Sequence, residues 1–199
     1  MAILSDSPSP KRHSVMSFDR FTLVTIRFGK GEQQQEFVVH ESFVSRAEFF
    51  RRALNGSWIE SRDRVDSLPE DDPETFALYM TFLYTGKLPR DDTVTPVDSD
   101  EWQTRCDYDY LDMAFIYGMA EKLQDINTKN AVVRCIFETV DKRDKQGSRC
   151  LPPGSAIRVF YDTTVDSSPI RRLLPAMWST VDKSALTDDL DDLPKLFLA

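Results

Sequence analysis

One stretch constrains the fold more than any other part of the chain: Phe37 to Leu54, with the sequence FVVHESFVSRAEFFRRAL. A short β-prone run ends at His40, and two short helices are predicted directly after it. Within each helix the apolar residues are adjacent or three to four positions apart, as a buried stripe requires; they are Phe43, Val44, Phe49, Phe50, Ala53 and Leu54. The stretch therefore predicts a strand that leads straight into two helices packed on a core.

Three short strands are predicted around these helices. Phe21 to Phe28 is rich in β-branched and aromatic residues, and Glu36 to Val39 is a second such run. A Gly29-Lys30-Gly31 turn signal separates the two runs, so they form a hairpin. Arg64 to Leu68 is a third short strand, and together the three make a small sheet.

The next predicted helix has clear signals at both ends. Asp72 is suited to cap it, Pro73 fits the first helical position, and Gly86 ends it. The apolar residues that fall on one face of this helix are Phe76, Met80, Leu83 and Tyr84. They fall at i, i+4, i+7 and i+8, as the apolar face of an amphipathic helix does.

A pair of helices is predicted after an acidic segment. Pro89 to Asp107 is interpreted as an exposed loop, and Tyr108 to Leu123 as a helix. Asp125 is suited to cap the second helix, Ile126 to Val140. The residues available for burial in the first helix are Leu111, Ala114, Phe115, Tyr117, Gly118 and Leu123. The predicted inner face of the second consists of Val133, Ile136, Phe137 and Val140.

The composition argues against two broad classes of partner. The 199-residue chain has a formal net charge of -8 and an isoelectric point of about 4.8, which disfavours phosphate backbones and anionic membranes. No apolar run approaches the roughly 20 residues that span a bilayer. We therefore expect neither a nucleic acid nor a membrane as partner.

The residues that carry chemistry are few. Cys106, Cys135 and Cys150 are an odd number at wide spacing, which predicts free thiols in a reducing compartment and no zinc site. His13 lies in the leader, and His40 ends a strand, where we expect it to hydrogen-bond locally and to pack. No nucleophile and base can be paired from these residues. The sequence predicts no catalytic residue, no cofactor and no metal.

The ordered elements resemble the BTB/POZ domain from Asp19 to Thr128. The residues that stand where the family pattern has such residues are Phe37, His40, Phe43, Phe49, Phe50, Phe76, Phe82, Tyr84, Thr85, Gly86, Leu111, Ala120 and Leu123. The helical segment SSPIRRLLPAMW, Ser167 to Trp178, is similar to stand-alone BTB proteins that are common in filamentous fungi. The resemblance implies an α+β fold, with a small three-stranded sheet covered by helices and a C-terminal helical extension.

The domain layout follows from this resemblance. Residues 1–17 are predicted to be a disordered, Ser- and Pro-rich leader. Residues 18–128 would form the BTB/POZ domain, and 129–199 a helical extension with an acidic tail. Within the extension, Asp141 to Pro153 is interpreted as a linker, and Pro175 lies inside a predicted helix.

Two departures from the family pattern affect its interfaces. Many members carry Asp early in the first strand and Lys after the His, a charged pair near the dimer groove; Thr22 and Glu41 stand here instead. A monomer or weak dimer is therefore predicted. Members that dock on cullins often have a hydrophobic-x-Glu signal before the helix predicted from Tyr108, and no clear copy stands there.

The function implied by the resemblance is a protein–protein interaction module and not an enzyme. It would be an adaptor or an oligomerisation scaffold. One assembly that it would join is a cullin-based ubiquitin ligase, and its partner would be a cullin or a second copy of the chain. Two alternatives stay open: a transcription-linked scaffold without DNA binding of its own, and an enzyme of unrecognised type. Cytoplasm or nucleus, or both, is the expected location. The expected interaction surface includes Phe21, Leu23, Glu41, Phe43, Trp102 and Tyr108, with Trp102 exposed in the acidic loop.

Overall fold

The structure, a computed structural model, describes residues 22–55, 65–89, 99–147, 149–179 and 193–198. Within these residues the fold is mixed α+β, as predicted, with helices packed around one small sheet. The strands are β1 (Leu23–Phe28), β2 (Gln35–His40) and β3 (Val65–Leu68). The helices are α1 (Glu41–Val44), α2 (Glu48–Asn55), α3 (Pro73–Thr85), α4 (Ser99–Lys122), α5 (Ile126–Val140), α6 (Gly154–Thr163), α7 (Ile170–Trp178) and α8 (Lys195–Leu198). The predicted leader, 1–17, and Phe21 lie outside the described residues.

The sheet has the strand order β2-β1-β3. β1 and β2 form the predicted antiparallel hairpin, with Leu23 opposite His40 and Ile26 opposite Phe37. β3 pairs with β1 in parallel. Alternate β1 residues, Val24, Ile26 and Phe28, are buried, so one face of the sheet covers the core and the other is open.

The two short helices predicted after His40 are confirmed as α1 and α2. Phe43, Val44 and Phe50 enter the core, and Phe50 is fully buried. Phe49, which the apolar spacing also predicts to be buried, is only half-buried and packs edge-on against Phe50, with ring centroids 5.3 Å apart. Because Phe49 and Phe50 are adjacent in the helix, their side chains point in different directions. Only one of them can point directly into the core.

Helix α3 confirms the signals read at its two ends. The Asp72 carboxylate accepts hydrogen bonds from the Thr75 amide and hydroxyl, both at 2.8 Å, and Pro73 occupies the first turn. Gly86 has a φ of 68° and ends the helix with its amide donating to the Phe82 carbonyl at 2.7 Å. The buried face includes Tyr79 in place of Tyr84, which is 42% exposed.

Helix α4 begins at Ser99, so the prediction of an exposed loop is wrong for Ser99–Asp107. Side-chain bonds between residues four apart support this polar start: Arg105 to Glu101 at 2.5 Å and Gln103 to Asp107 at 2.7 Å. The remaining residues of the acidic segment, 90–98, lie outside the described part. The first turns of α4 are polar, so the sequence pattern did not indicate a helix there. The stability of this helix comes from its packing.

Helix α5 has the predicted cap, and of its predicted inner face Ile136 is buried and Val133 and Val140 pack against the core, whereas Phe137 does not. Asp125 accepts from the Thr128 amide at 3.1 Å and from its hydroxyl at 2.5 Å. Phe137 is 51% exposed, whereas the inner face consists of Thr128, Val132, Cys135, Ile136 and Thr139. The boundary drawn after residue 128 falls within this helix, so the two predicted parts share α5.

A disulfide links α4 to the segment after α5. Cys106 and Cys150 are bonded, which overturns the prediction of three free thiols, and Cys135 is a buried thiol. The predicted linker is a packed connection at its end, because Cys150 and Leu151 are buried and Arg143 forms a β-bridge with Arg149. Cysteine spacing in the sequence does not encode this proximity.

Helices α6 and α7 complete the extension. α6 lies along α4, and a Cβ atom at Gly118 would come within 2.5 Å of the Thr163 hydroxyl oxygen, so α4 needs glycine there. Arg171 of α7 holds the turn between the two helices, with its guanidinium 4.9 Å from the Tyr161 ring centroid. Pro175 lies inside α7 as predicted. None of the described helices combines the length and apolar character needed to cross a bilayer.

Candidate interaction surface

The open face of the sheet is the candidate site, and we call it the outer sheet face. Strand alternation turns one set of side chains away from the core; they are Leu23, Thr25, Arg27, Glu36, Val38 and His40. Leu23 is 48% and Val38 63% exposed. Thr25 lies opposite Val38 and Leu23 opposite His40, which makes Leu23 and Val38 diagonal neighbours. An apolar strip therefore runs across the hairpin.

Polar contacts close both ends of this strip. At one end the Arg27 Nε atom lies 2.7 Å from Glu36 Oε1, in a cross-strand ion pair. At the other end the Tyr84 hydroxyl lies 2.9 Å from His40 Nδ1 and accepts a hydrogen bond of 3.0 Å from the His40 amide. One hydrogen-bond partner of His40 is thus 44 residues away in sequence.

The aromatic residues beneath Tyr84 hold it in place. The Phe43 ring stacks on the Tyr84 ring with centroids 4.3 Å apart and planes 14° from parallel. The Arg46 guanidinium lies 5.1 Å from the Phe43 centroid and also donates to the Leu83 carbonyl at 3.5 Å. Phe43 is buried, so it supports the surface from below and is not an exposed member of it.

The rim of the surface lies where β2 enters α1. Glu41 is half-buried, and its amide donates to the Thr22 carbonyl at 2.9 Å. Thr22 and Glu41, the positions where many BTB/POZ domains have a charged pair, are therefore neighbours across the hairpin. Leu23, Glu41 and Phe43 of the predicted interaction surface are brought together here, whereas Phe21 lies outside the described residues.

The two remaining predicted residues lie on α4, which packs mainly against α3, α5 and α6. Trp102 is half-buried against the core, so the prediction of an exposed tryptophan is wrong. Its indole nitrogen is buried without a hydrogen-bond partner among the described residues. Tyr108 is 65% exposed, as a contact residue needs to be. The structure does not join these two to the outer sheet face.

Of the outer sheet face only Leu23 was predicted as an interaction residue; the apolar Val38 was missed, and so was Tyr84, which borders this face. Val38 lies in an uninterrupted run, Phe37-Val38-Val39, whose apolar pattern does not say which residue faces outward. Pairing of Val38 with Thr25 decides it. Tyr84 follows Leu83 at the edge of the apolar stripe of α3. Its hydroxyl lies at the surface, where it hydrogen-bonds with the nearby His40.

A separate groove lies between the end of α3 and α5. Its volume is about 240 Å³, and its lining residues are Phe82, Gly86, Lys87, Leu88, Ala131, Arg134, Cys135 and Glu138.

Within the described ranges, no three His, Cys, Asp or Glu side chains come together as a metal site. No protein-family model matches the chain, and a search of curated proteins found no match.

Proposed function

We propose that this chain is a protein–protein interaction module of the BTB/POZ type that acts as an adaptor or oligomerisation scaffold. The observation that carries the proposal is the outer sheet face, where Leu23 and Val38 are both about half exposed or more. Each is a large apolar side chain on the β1–β2 hairpin, and the two are diagonal neighbours across it. A partner would bury them against its own apolar surface.

The energetics favour an interface at this face. Full burial of a Leu or Val side chain contributes about 1.5–3 kcal/mol. The strip is bordered by the Arg27–Glu36 ion pair and by the His40–Tyr84 hydrogen bond. An apolar centre inside a polar rim is the usual anatomy of protein interfaces. The polar groups of the rim are already bonded to each other within the chain. They therefore keep a bonding partner when a docking protein displaces water from them.

The order of elements supports the BTB/POZ assignment. A β-hairpin leads into two short helices, a third strand joins the hairpin in parallel, and a helix ends at Tyr84-Thr85-Gly86. Two longer helices, α4 and α5, then close this part of the fold. This is the order that the resemblance implies, and it carries with it the expected class of activity: binding of a cullin or of another protein.

A charge-insertion experiment tests the proposal. Leu23→Asp and Val38→Asp, combined in one full-length chain, place two carboxylates in the apolar strip. Val165→Asp is the matched control, because Val165 is 59% exposed outside the sheet. Tagged wild type, double variant and control are used as bait, and captured proteins are quantified by mass spectrometry after circular dichroism shows that all three are folded.

The expected result is a protein, a cullin or another partner, that is captured by wild type and control and lost with the double variant. Capture of chromatin proteins with the same dependence would favour the transcription-linked scaffold. If no captured protein distinguishes the double variant from the control, the outer sheet face is not an interface and the proposal fails.

A further inference from the structure

A second surface lies on α4, away from the sheet. Tyr108, Leu111, Asp112 and Phe115 have the spacing i, i+3, i+4 and i+7, which places them along one side of the helix. Tyr108 is 65% exposed, and the other three are half-buried. We call these four residues the α4 outer stripe.

The apolar members of the stripe do not belong to the core. The core-facing side of the same helix carries Tyr110, Met113, Ala114 and Tyr117, all buried. Leu111 and Phe115, which the sequence offers for burial, belong neither to the buried cluster nor to the half-buried residues packed against it. Leu111 and Phe115 are thus partly covered and partly open, and they lie on the same side of α4 as the exposed Tyr108 ring.

Asp112 gives this surface its chemical character. It makes no hydrogen bond or ion pair with the described residues, and burial raises the pKa of its carboxyl group. The cations on the same helix have acidic partners already: Arg105 pairs with Glu101 at 2.5 Å and Lys122 with Asp71 at 2.6 Å. Asp112 is therefore a half-buried carboxylate between Tyr108 and Phe115, and a cation placed beside it would meet an opposite charge in a partly water-excluded position.

We propose that the α4 outer stripe binds a basic amphipathic segment of a partner protein. A Lys or Arg of that segment would pair with Asp112, and its apolar side chains would cover Tyr108, Leu111 and Phe115. The inference rests on the proposed function as an interaction module, and it names the chemistry of one partner. The net charge of -8 attracts a basic segment over distance, and the apolar stripe then fixes its position.

Binding of model peptides to the full chain tests the inference. The probe is a fluorescent amphipathic peptide of Leu and Lys, about 18 residues long so that it is helical. A Leu/Glu peptide of the same pattern and a Leu/Lys peptide with scrambled order are the comparison probes. The variants are Asp112→Asn and Tyr108→Ala. Their matched controls are Asp162→Asn, an exposed acid on α6, and Ile126→Ala, a residue 65% exposed like Tyr108.

We expect the ordered Leu/Lys peptide to bind best, and its Kd to rise about tenfold in Asp112→Asn and in Tyr108→Ala, as for loss of a desolvated charge contact or an aromatic anchor. The two control variants should bind as wild type does. Equal binding to all variants, or equal binding of the scrambled peptide, would overturn the inference. Since Leu23 and Val38 are untouched, such a failure leaves the proposed function standing, and its own capture experiment decides it separately.

Discussion

At the residue scale, Asp125 ties three helices together through its carboxylate and its backbone amide. Asp125 is 1% exposed and accepts a 2.9 Å hydrogen bond from the hydroxyl of Tyr79, which lies on α3. It also caps α5 through Thr128, and its amide donates to the Ala120 carbonyl of α4 at 2.8 Å. Burial and the adjacent Asp125 raise the pKa of Tyr79 far above its ordinary value, so the phenol stays a donor. A buried carboxylate depends on such donors.

Tyr79→Phe removes one of these donors without changing the shape of the core. We expect the free energy of unfolding to fall by about 1–3 kcal/mol, the cost of leaving a buried charged acceptor short of a hydrogen bond. Urea denaturation monitored by circular dichroism measures it. Tyr108→Phe serves as control, because Tyr108 is 65% exposed and should change stability by no more than about 0.5 kcal/mol. Equal stability of both variants would mean that the Tyr79 hydroxyl contributes nothing.

The two adjacent phenylalanines of α2 give a second test at this scale. Phe50 is fully buried and stands 6.4 Å from the Phe76 centroid, whereas Phe49 is half-buried. Phe50→Ala should therefore cost about 3–5 kcal/mol in free energy of unfolding, and Phe49→Ala clearly less. Chemical denaturation of the two variants side by side gives the comparison. A larger loss of stability for Phe49→Ala than for Phe50→Ala would mean that Phe49, and not Phe50, faces the core.

At the scale of elements, the start of α3 depends on an ionised side chain. Partial burial raises the pKa of Asp72, but hydrogen bonds from the Thr75 amide, the Thr75 hydroxyl and the Glu74 amide outweigh this effect. The pKa in the folded chain is therefore below the model-peptide value of 3.8. Ionisation is easier in the folded than in the unfolded chain, so the carboxylate stabilises the fold where it is charged.

The pH dependence of stability tests this cap. The contribution of Asp72 should be complete above about pH 5 and should be lost as the pH falls through the folded pKa, below 3.8. Asp72→Asn keeps a capping side chain that does not titrate. The stability difference between wild type and Asp72→Asn, measured by urea denaturation at successive pH values, should shrink on acidification. A difference that stays constant would show that the charge of Asp72 does not stabilise α3.

At the scale of the whole molecule, the Cys106–Cys150 disulfide joins positions 44 residues apart. Such a link restricts the unfolded chain, which typically stabilises a fold by about 2–4 kcal/mol. We expect Cys106→Ser with Cys150→Ser to lower the free energy of unfolding by about that amount. Thiol titration of the unfolded, unreduced wild type should find one thiol, Cys135, and reduction should raise the number to three. Three thiols before reduction would contradict the bond, and Cys135→Ala is the control that should show none.

Self-association is the other property at this scale. Glu41 sits beside Thr22 at the rim of the outer sheet face, where the family's pattern has opposite charges. A two-fold contact at this rim would bring like charges together, which is costly when they lose water. We therefore expect a monomer or weak dimer at about micromolar concentration. Sedimentation over a concentration series measures this, and a dimer that persists well below micromolar would contradict it.

The sequence by itself determined the elements whose signals are local. Pro73 and Gly86 mark the ends of α3, Asp125 marks the start of α5, and the hairpin was predicted within two residues of its observed strands. Such signals depend on backbone angles and caps within one turn of the chain, so neighbours in sequence suffice to predict them. The α+β class was implied by the resemblance that the order of these elements carries.

The tertiary structure alone decided which residues are accessible and which distant residues meet. Periodicity offers an apolar stripe, but only the positions of neighbouring helices decide that Phe137 and Tyr108 stay exposed while Trp102 packs inward. The His40–Tyr84 contact and the Cys106–Cys150 bond join residues more than forty positions apart. No local pattern encodes such proximity, because it arises from the packing of several elements at once. The two candidate surfaces depend on the exposure of residues such as Val38 and Tyr108, so they emerge only from the folded chain.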